Sequence, residues 1–83
     1  MTKHITTTIN QELKRARSKF PAQSALVTIA AATEEMGEVA SSYLEHHFEP
    51  HKGVTVVDIR KEAIQLAVMA IRIACDCDLE TKP

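Results

Sequence analysis

A nearly continuous apolar stretch decides the fold of this 83-residue chain: Ala63-Ile64-Gln65-Leu66-Ala67-Val68-Met69-Ala70-Ile71-Arg72-Ile73-Ala74. On a helix of 3.6 residues per turn, its apolar side chains cover most of the circumference. Because such a helix is stable mainly through its packing against other helices, we expect it to be the most buried element of the protein. We therefore predict an all-α fold with a third helix over residues 55–76.

A first helix is predicted over residues 9–20. Thr8 and Gln11 have the spacing of a capping box, and Pro21 ends the apolar periodicity that follows them. The threonine-rich residues before Thr8 show no helical period, so we expect them to lie outside the helix.

A second, longer helix is predicted over residues 23–49, because Pro50 disfavours helical geometry in the residue before it. Gly37 in its middle costs roughly 1 kcal/mol against alanine, which indicates that another helix approaches closely there. One apolar stripe runs along this helix: Leu26, Ile29, Ala30, Thr33, Met36, Gly37, Ala40 and Leu44.

The connection to the third helix contains turn residues in Pro50–Gly53. The β-branched run Val54–Val57 is typical of a strand, but the chain offers no second strand with which it could pair. Thr55 and Asp58 are spaced to cap the third helix instead. We predict a single domain, residues 1–83, made of three helices.

Composition limits how stable one copy can be. Hydrophobic residues make up 45% of the chain and aromatic residues 4%, so the core must be small and aliphatic. A domain of this size buries only about 60–65% of the surface of its unfolded chain. Self-association is a common way to bury more, and we predict that the helices assemble into an oligomeric bundle.

Charge and cysteine content exclude several classes. A net charge of −1 argues against a nucleic-acid binder. Cys75 and Cys77 are separated by one residue, which suits neither a structural disulfide nor a zinc site, so we expect reduced thiols. The longest apolar stretch is interrupted by Gln65 and Arg72 and is too short to span a bilayer. With no basic start followed by an apolar run, we expect a cytoplasmic protein without a membrane partner.

The third helix carries one polar seam, formed by Asp58, Glu62, Gln65 and Arg72. At 100° per residue these four positions fall within about 80° of one another. Polar groups on an otherwise apolar helix need partners. The seam therefore either pairs with other side chains or holds a ligand.

The second helix crowds carboxylates onto one surface. Glu35 and Glu38 are three residues apart, and Glu34 and Glu38 are four apart. Like charges at these spacings destabilise a helix by roughly 0.2–0.5 kcal/mol per pair. A hard cation such as Mg²⁺ would turn the repulsion into coordination. Spacing alone leaves a solvated acidic face as the alternative.

Three segments carry a resemblance to a known family: Phe20-Pro21, Glu34-Glu35-Met36-Gly37-Glu38-Val39-Ala40 and Lys61-Glu62-Ala63-Ile64-Gln65-Leu66-Ala67. They resemble the MazG-like all-α nucleoside-triphosphate pyrophosphohydrolases, over roughly residues 18–75. The motif of that family is E-x-x-E followed, after a variable gap, by E-x-x-D, and its four acidic residues bind Mg²⁺.

Glu35 and Glu38 match the first pair of the motif, and Glu62 matches the first residue of the second pair. The fourth position is Gln65, as in a branch of the family that has glutamine there. Its carbonyl oxygen can bind a hard cation but adds no charge, so the metal site should be weaker than one with four carboxylates. Asp58, one turn before Glu62, is a possible compensation that the family motif does not contain.

The resemblance implies a MazG-like bundle that assembles as a homodimer or homotetramer. It also implies Mg²⁺-dependent, or Mn²⁺-dependent, hydrolysis of a (deoxy)nucleoside triphosphate to the monophosphate and pyrophosphate. The catalytic residues would be Glu35, Glu38 and Glu62, with Gln65 as an additional metal ligand. Three basic residues of the first helix are candidates for phosphate contact, although they fit a solvated face equally well: Lys14, Arg17 and Lys19.

Two other interpretations stay open. With Gln65 in place of an acid, the chain can be a catalytically weak or inactive helical oligomer that binds a nucleotide or a protein partner. A small regulatory helical protein, such as an antitoxin-like partner, is the third. If the chain is an enzyme, metal-assisted hydrolysis is the reaction for which the sequence provides residues. It contains no glycine-rich phosphate loop and no Ser/His/Asp order.

Overall fold

The computed structural model describes residues 1–21 and 23–80 of the chain. Three helices are present: α1 (Lys3–Lys19), α2 (Ala25–Phe48) and α3 (Val56–Cys75), with a 3-10 turn at Pro50–Lys52 between the last two. The described residues form no strand, which confirms the all-α prediction. The helix α3 packs against both α2 and α1.

The start of α1 corrects the sequence prediction. The helix begins at Lys3 rather than at residue 9, and Thr2 is its N-cap, accepting from the backbone N–H of Ile5 at 3.2 Å. The threonines of the first turns fit inside the helix because each donates its hydroxyl to the carbonyl oxygen four residues earlier. The early start also brings Ile5 and Ile9 into a shallow apolar groove against α3.

The other two helices begin within two residues of their predicted starts, and the cap of α3 is the predicted one. Ser24 caps α2, accepting from the Val27 backbone N–H at 3.1 Å. Thr55 and Asp58 form the predicted capping box of α3, with each side chain bonded to the backbone of the other residue. Val56 is the first residue of α3, so the β-branched run Val54–Val57 forms no strand: its first two residues lead into the helix and its last two begin it.

The short connection makes α2 and α3 an antiparallel hairpin. His46 of α2 donates from Nδ1 to the carbonyl oxygen of Val54 at 2.6 Å. Lys52 contacts Glu45 and Glu49 at 3.5 and 3.3 Å, and Gly53 takes a left-handed backbone conformation with φ of 72°. The tight turn fixes the register of the two helices.

The core is small and lies between α1 and α3. Leu13 and Ala16 of α1 are buried against Val68 of α3, with Ile9 and Ile71 packed at the edge. The buried polar side chains among the described residues are Thr28 and Arg72. So small a core is in line with the composition.

The orientation of α2 differs from what its apolar stripe suggests. Its less exposed side carries small and polar residues: the buried hydroxyl of Thr28 accepts a hydrogen bond at 3.4 Å from the thiol of Cys77, just beyond α3. The apolar stripe points to solvent instead, with Leu26, Met36 and Leu44 exposed by 72%, 53% and 51%. A Cβ on Gly37 would meet no atom within 4 Å, so the close approach of a helix that was expected there is not observed among the described residues.

Within residues 1–21 and 23–80, no helix combines the length and the apolar character that a bilayer span requires.

Candidate metal centre

Three carboxylates meet between α2 and α3. Glu35 and Glu38 lie one turn apart on α2, and Glu62 lies opposite them on α3; one oxygen from each falls within 4.8 Å of the others. These residues form the acidic cluster. The i, i+3 spacing on α2 and the register of the hairpin are what bring them together. Glu34, next to Glu35 in sequence, is exposed and lies outside the cluster.

Glu35 carries a buried carboxylate oxygen within the acidic cluster. Its Oε2 atom is buried and has no hydrogen-bond donor among the described residues. Burial, followed by the negative charges of Glu38 and Glu62, raises the pKa of the Glu35 carboxyl. A buried acceptor without a donor, surrounded by like charge, is an arrangement that a proton or a cation stabilises.

Glu62 responds in the same direction. Its contact with Glu38 is the largest cause that raises the pKa of Glu62, followed by burial. The nearby charge of Asp58 adds to the effect. Three converging carboxylate oxygens suit Mg²⁺ or Mn²⁺, which prefer oxygen ligands, so the residues present fit such a cation.

The raised pKa values predict an unusual pH dependence for the metal-free protein. Since the folded state binds protons at Glu35 and Glu62 more readily than the unfolded chain, stability should rise as pH falls from about 7 to about 5. At still lower pH stability should be lost, because the pKa values of Asp76 and Glu12 are lowered by their basic partners. Thermal unfolding followed by circular dichroism measures both the rise in stability and the loss at lower pH. A melting temperature that falls steadily from neutral pH downward would contradict the repulsion in the acidic cluster.

Gln65 makes a contact that its motif position does not indicate. Its Nε2 donates to Glu12 Oε2 of α1 at 3.1 Å. The same carboxylate oxygen accepts hydrogen bonds from Nε and Nη2 of Arg15 at 3.1 and 2.8 Å. Arg15 and then Gln65 lower the pKa of Glu12. Glu12 is therefore an ionised acceptor that ties α1 to the turn of α3 following Glu62.

The rest of the polar seam pairs with protein groups. Asp58 Oδ2 is bonded to the Thr55 backbone and hydroxyl at 2.8 and 2.9 Å, so this carboxylate caps α3. Arg72 is 1% exposed and donates to Asp76 Oδ2 at 3.0 Å and to the carbonyl oxygens of Ala16 and Phe20. The seam thus contains both of the outcomes expected from the sequence: pairing at Asp58, Gln65 and Arg72, and a candidate ligand site at Glu62.

The candidate phosphate residues do not share one surface. Lys14 and Lys19 lie on an exposed side of α1 together with Gln11, Arg15 and Ser18, and Lys19 Nζ sits 5.5 Å from the centre of the Phe20 ring. Arg17 instead makes a two-pronged contact with Asp76, both bonds measuring 2.8 Å. That pairing accounts for Arg17 without a phosphate.

Sequence reasoning overlooked Glu12 and the capping role of Arg72. Glu12 lies inside a basic helix, where its spacing to Arg15 indicates only a local ion pair. Nothing in the sequence pairs it with Gln65. Both cysteines are free thiols, as predicted.

The fold and the acidic cluster define a small all-α protein with a three-carboxylate centre between two antiparallel helices. Comparisons with protein-family models, with curated proteins and with solved structures find no match to this chain. The resemblance to MazG-like proteins therefore stays a prediction from the motif residues in the sequence.

Proposed function

We propose that the chain is a MazG-like nucleotide pyrophosphohydrolase that hydrolyses a (deoxy)nucleoside triphosphate to the monophosphate and pyrophosphate, using Mg²⁺ or Mn²⁺. The observation that carries the proposal is the convergence of Glu35, Glu38 and Glu62 within 4.8 Å, with one buried oxygen lacking a donor. The three residues come from separate turns and from two helices, as a cation site between helices requires.

In this proposal Glu35, Glu38 and Glu62 hold the cation, and Gln65 contributes a neutral oxygen. A bound divalent cation supplies the positive charge that phosphate oxygens need as the reaction proceeds. A carboxylate of the acidic cluster accepts the proton of the attacking water. The water oxygen forms a bond to phosphorus, the bridging P–O bond between the α and β phosphates breaks, and pyrophosphate leaves.

Lys14 and Lys19 remain the proposed contacts for the phosphate tail. Both project from one exposed side of α1 with Arg15. Since α1 also contacts the acidic cluster's neighbour Gln65 through Glu12, this basic surface lies on the helix that borders the proposed site. Long cationic side chains at such a border can follow a flexible phosphate tail.

The exposed apolar face of α2 supports self-association as a homodimer or homotetramer. We define this face by Leu26, Ile29, Met36, Leu44 and Phe48, each at least 47% exposed. A contiguous apolar stripe on a small soluble helix is typical of an interaction site. The glycine at position 37 lies on the same stripe with open space beside it, which would allow a helix of a second copy to approach.

Leu44→Glu should convert the oligomer to a monomer without loss of helicity, because a charge is placed in the apolar interface. Asn10→Glu, at an exposed position of α1, is the matched control and should leave the assembly unchanged. Sedimentation velocity over a range of concentrations measures both. A wild type that sediments as a monomer at every concentration would contradict the assembly but not the hydrolytic site.

The experiment that tests the proposed function is product analysis with a panel of canonical and modified nucleoside triphosphates. Each is incubated with Mg²⁺, with Mn²⁺ or with a chelator, and the products are separated. Metal-dependent formation of equal amounts of monophosphate and pyrophosphate is expected for at least one substrate. Release of orthophosphate alone, or no reaction from a folded protein, would reject the proposal.

The second candidate is a helical module that binds a nucleotide or a protein partner with little or no turnover. The observation in its favour is that position 65 offers an amide instead of a carboxylate, and that this amide is bonded to Glu12. The cation site then has one charge less than the four-carboxylate motif. Tight nucleotide binding with no product in the same panel would favour this candidate.

A further inference from the structure

We infer that Glu12 is a positioning residue that fixes the side-chain amide of Gln65, so that Gln65 presents its carbonyl oxygen to the cation held by the acidic cluster. The inference rests on the proposed function, because it concerns a ligand of that same site. Through Glu12, α1 would then orient a metal ligand in addition to presenting its basic surface.

Glu12 determines which atom of the Gln65 amide faces it. An ionised carboxylate can only accept hydrogen bonds, whereas an amide offers a donor on one branch and an acceptor on the other. Glu12 Oε2 accepts from Arg15 twice and from Gln65 Nε2 at 3.1 Å. The carboxylate therefore selects the NH₂ branch of Gln65 and rejects the flipped amide.

The carbonyl branch of the Gln65 amide is directed by the geometry of α3. Gln65 follows Glu62 by three residues on α3, so the two side chains share one face. Helical side chains lean toward the N-terminal end of their helix, which carries the Gln65 amide over the turn that contains Glu62. With Nε2 held by α1, Oε1 is the branch left to the cation site.

Glutamine suits position 65 better than a carboxylate does. A carboxylate at position 65 would face the Glu12 carboxylate and add like charge to an already crowded region. Glutamine satisfies Glu12 with its nitrogen and keeps an oxygen for a hard cation. The departure from the four-carboxylate motif and the acidic residue on α1 thus belong to one arrangement.

The test is a mutant cycle with Mn²⁺ affinity as the readout, measured from the electron paramagnetic resonance signal of free Mn²⁺. The four proteins are wild type, Glu12→Gln, Gln65→Ala and the double variant. Glu12→Gln should weaken Mn²⁺ binding about ten-fold when Gln65 is present, because glutamine at position 12 can either accept from Nε2 or donate to Oε1 of Gln65 and so no longer fixes the amide. In the Gln65→Ala background the same change should alter affinity by less than about two-fold.

Arg15→Gln is the matched control, since it removes the other partner of Glu12 and leaves the bond to Gln65; its Mn²⁺ affinity should stay near that of the wild type. An equal loss from Glu12→Gln in both backgrounds would overturn the inference and leave the proposed function standing. Absence of Mn²⁺ binding in the wild type would overturn both.

A measurement on the wild type keeps the inference testable if Glu12→Gln fails to fold. The Gln65 Cδ resonance should shift when Mg²⁺ is added, because its oxygen enters the coordination sphere. The Gln11 Cδ resonance, from an exposed side chain of α1, is the internal reference and should not move. An unchanged Gln65 resonance at saturating Mg²⁺ would overturn the inference.

Discussion

We expect Glu35→Gln to reduce metal-dependent pyrophosphate release by about 100-fold or more, while the metal-free variant becomes more stable than the wild type. Glutamine keeps the shape of the side chain but removes the charge that would hold the cation. It also removes the repulsion that raises the pKa values of Glu35 and Glu62. Relief of that repulsion should contribute roughly 0.5 kcal/mol at neutral pH.

The opposite signs separate a functional role from a structural one. Glu34→Gln is the matched control, because Glu34 is exposed and stands outside the acidic cluster. It should leave pyrophosphate release near the wild-type value and raise stability less than Glu35→Gln does, because Glu34 is exposed and its repulsion is with Glu38 one turn away. Initial rates and urea unfolding at neutral pH with a chelator measure the two effects. Full activity in Glu35→Gln, or equal losses in both variants, would remove Glu35 from the site.

Arg72→Met should cause the largest loss of stability of any single substitution that we propose. Arg72 is almost fully buried and donates to the carbonyl oxygens of Ala16, in the last turn of α1, and of the C-cap residue Phe20. Methionine fills similar space but leaves both carbonyl oxygens without this donor, at a cost of about 3 kcal/mol. That is a large share of the 5 kcal/mol or so that a small domain possesses.

Arg17→Met is the matched control for this prediction. Arg17 binds the same carboxylate, Asp76, but its side chain is 44% exposed, so solvent screens the pair and the loss should be far smaller. Urea unfolding followed by circular dichroism compares the two. Equal shifts in the unfolding midpoint would show that the buried cap on α1 contributes no more than the exposed ion pair.

Local signals in the sequence were sufficient for most of the helix boundaries. Thr55 and Asp58 cap α3 as expected, α2 begins at Ala25, two residues after its predicted start, and Pro50 follows the end of α2. Such signals act over a few residues, so they do not depend on tertiary structure. The start of α1 was missed because threonine side chains that bond to the preceding turn give no apolar period.

The orientation of α2 shows what local patterns cannot reveal. Its apolar stripe predicts the face that is covered, but not whether the covering helix belongs to the same chain. In the structure that face is open, and Glu35 occupies the side toward α3. Helical spacing predicts that Glu35 lies beside Glu38, whereas the addition of Glu62 was expected from the family motif that the sequence resembles. The pairing of Glu12 with Gln65 was not predictable, since it spans 53 positions without a pattern.

The central claim is that the acidic cluster binds a divalent cation, and anomalous diffraction from crystals soaked in Mn²⁺ tests it most directly. The account predicts a strong anomalous peak among Glu35, Glu38 and Glu62, about 2 Å from a carboxylate oxygen of each. The peak should be absent from Glu35→Gln crystals soaked in the same way. No peak at the cluster in wild-type crystals, with Mn²⁺ bound only elsewhere or not at all, would contradict the account.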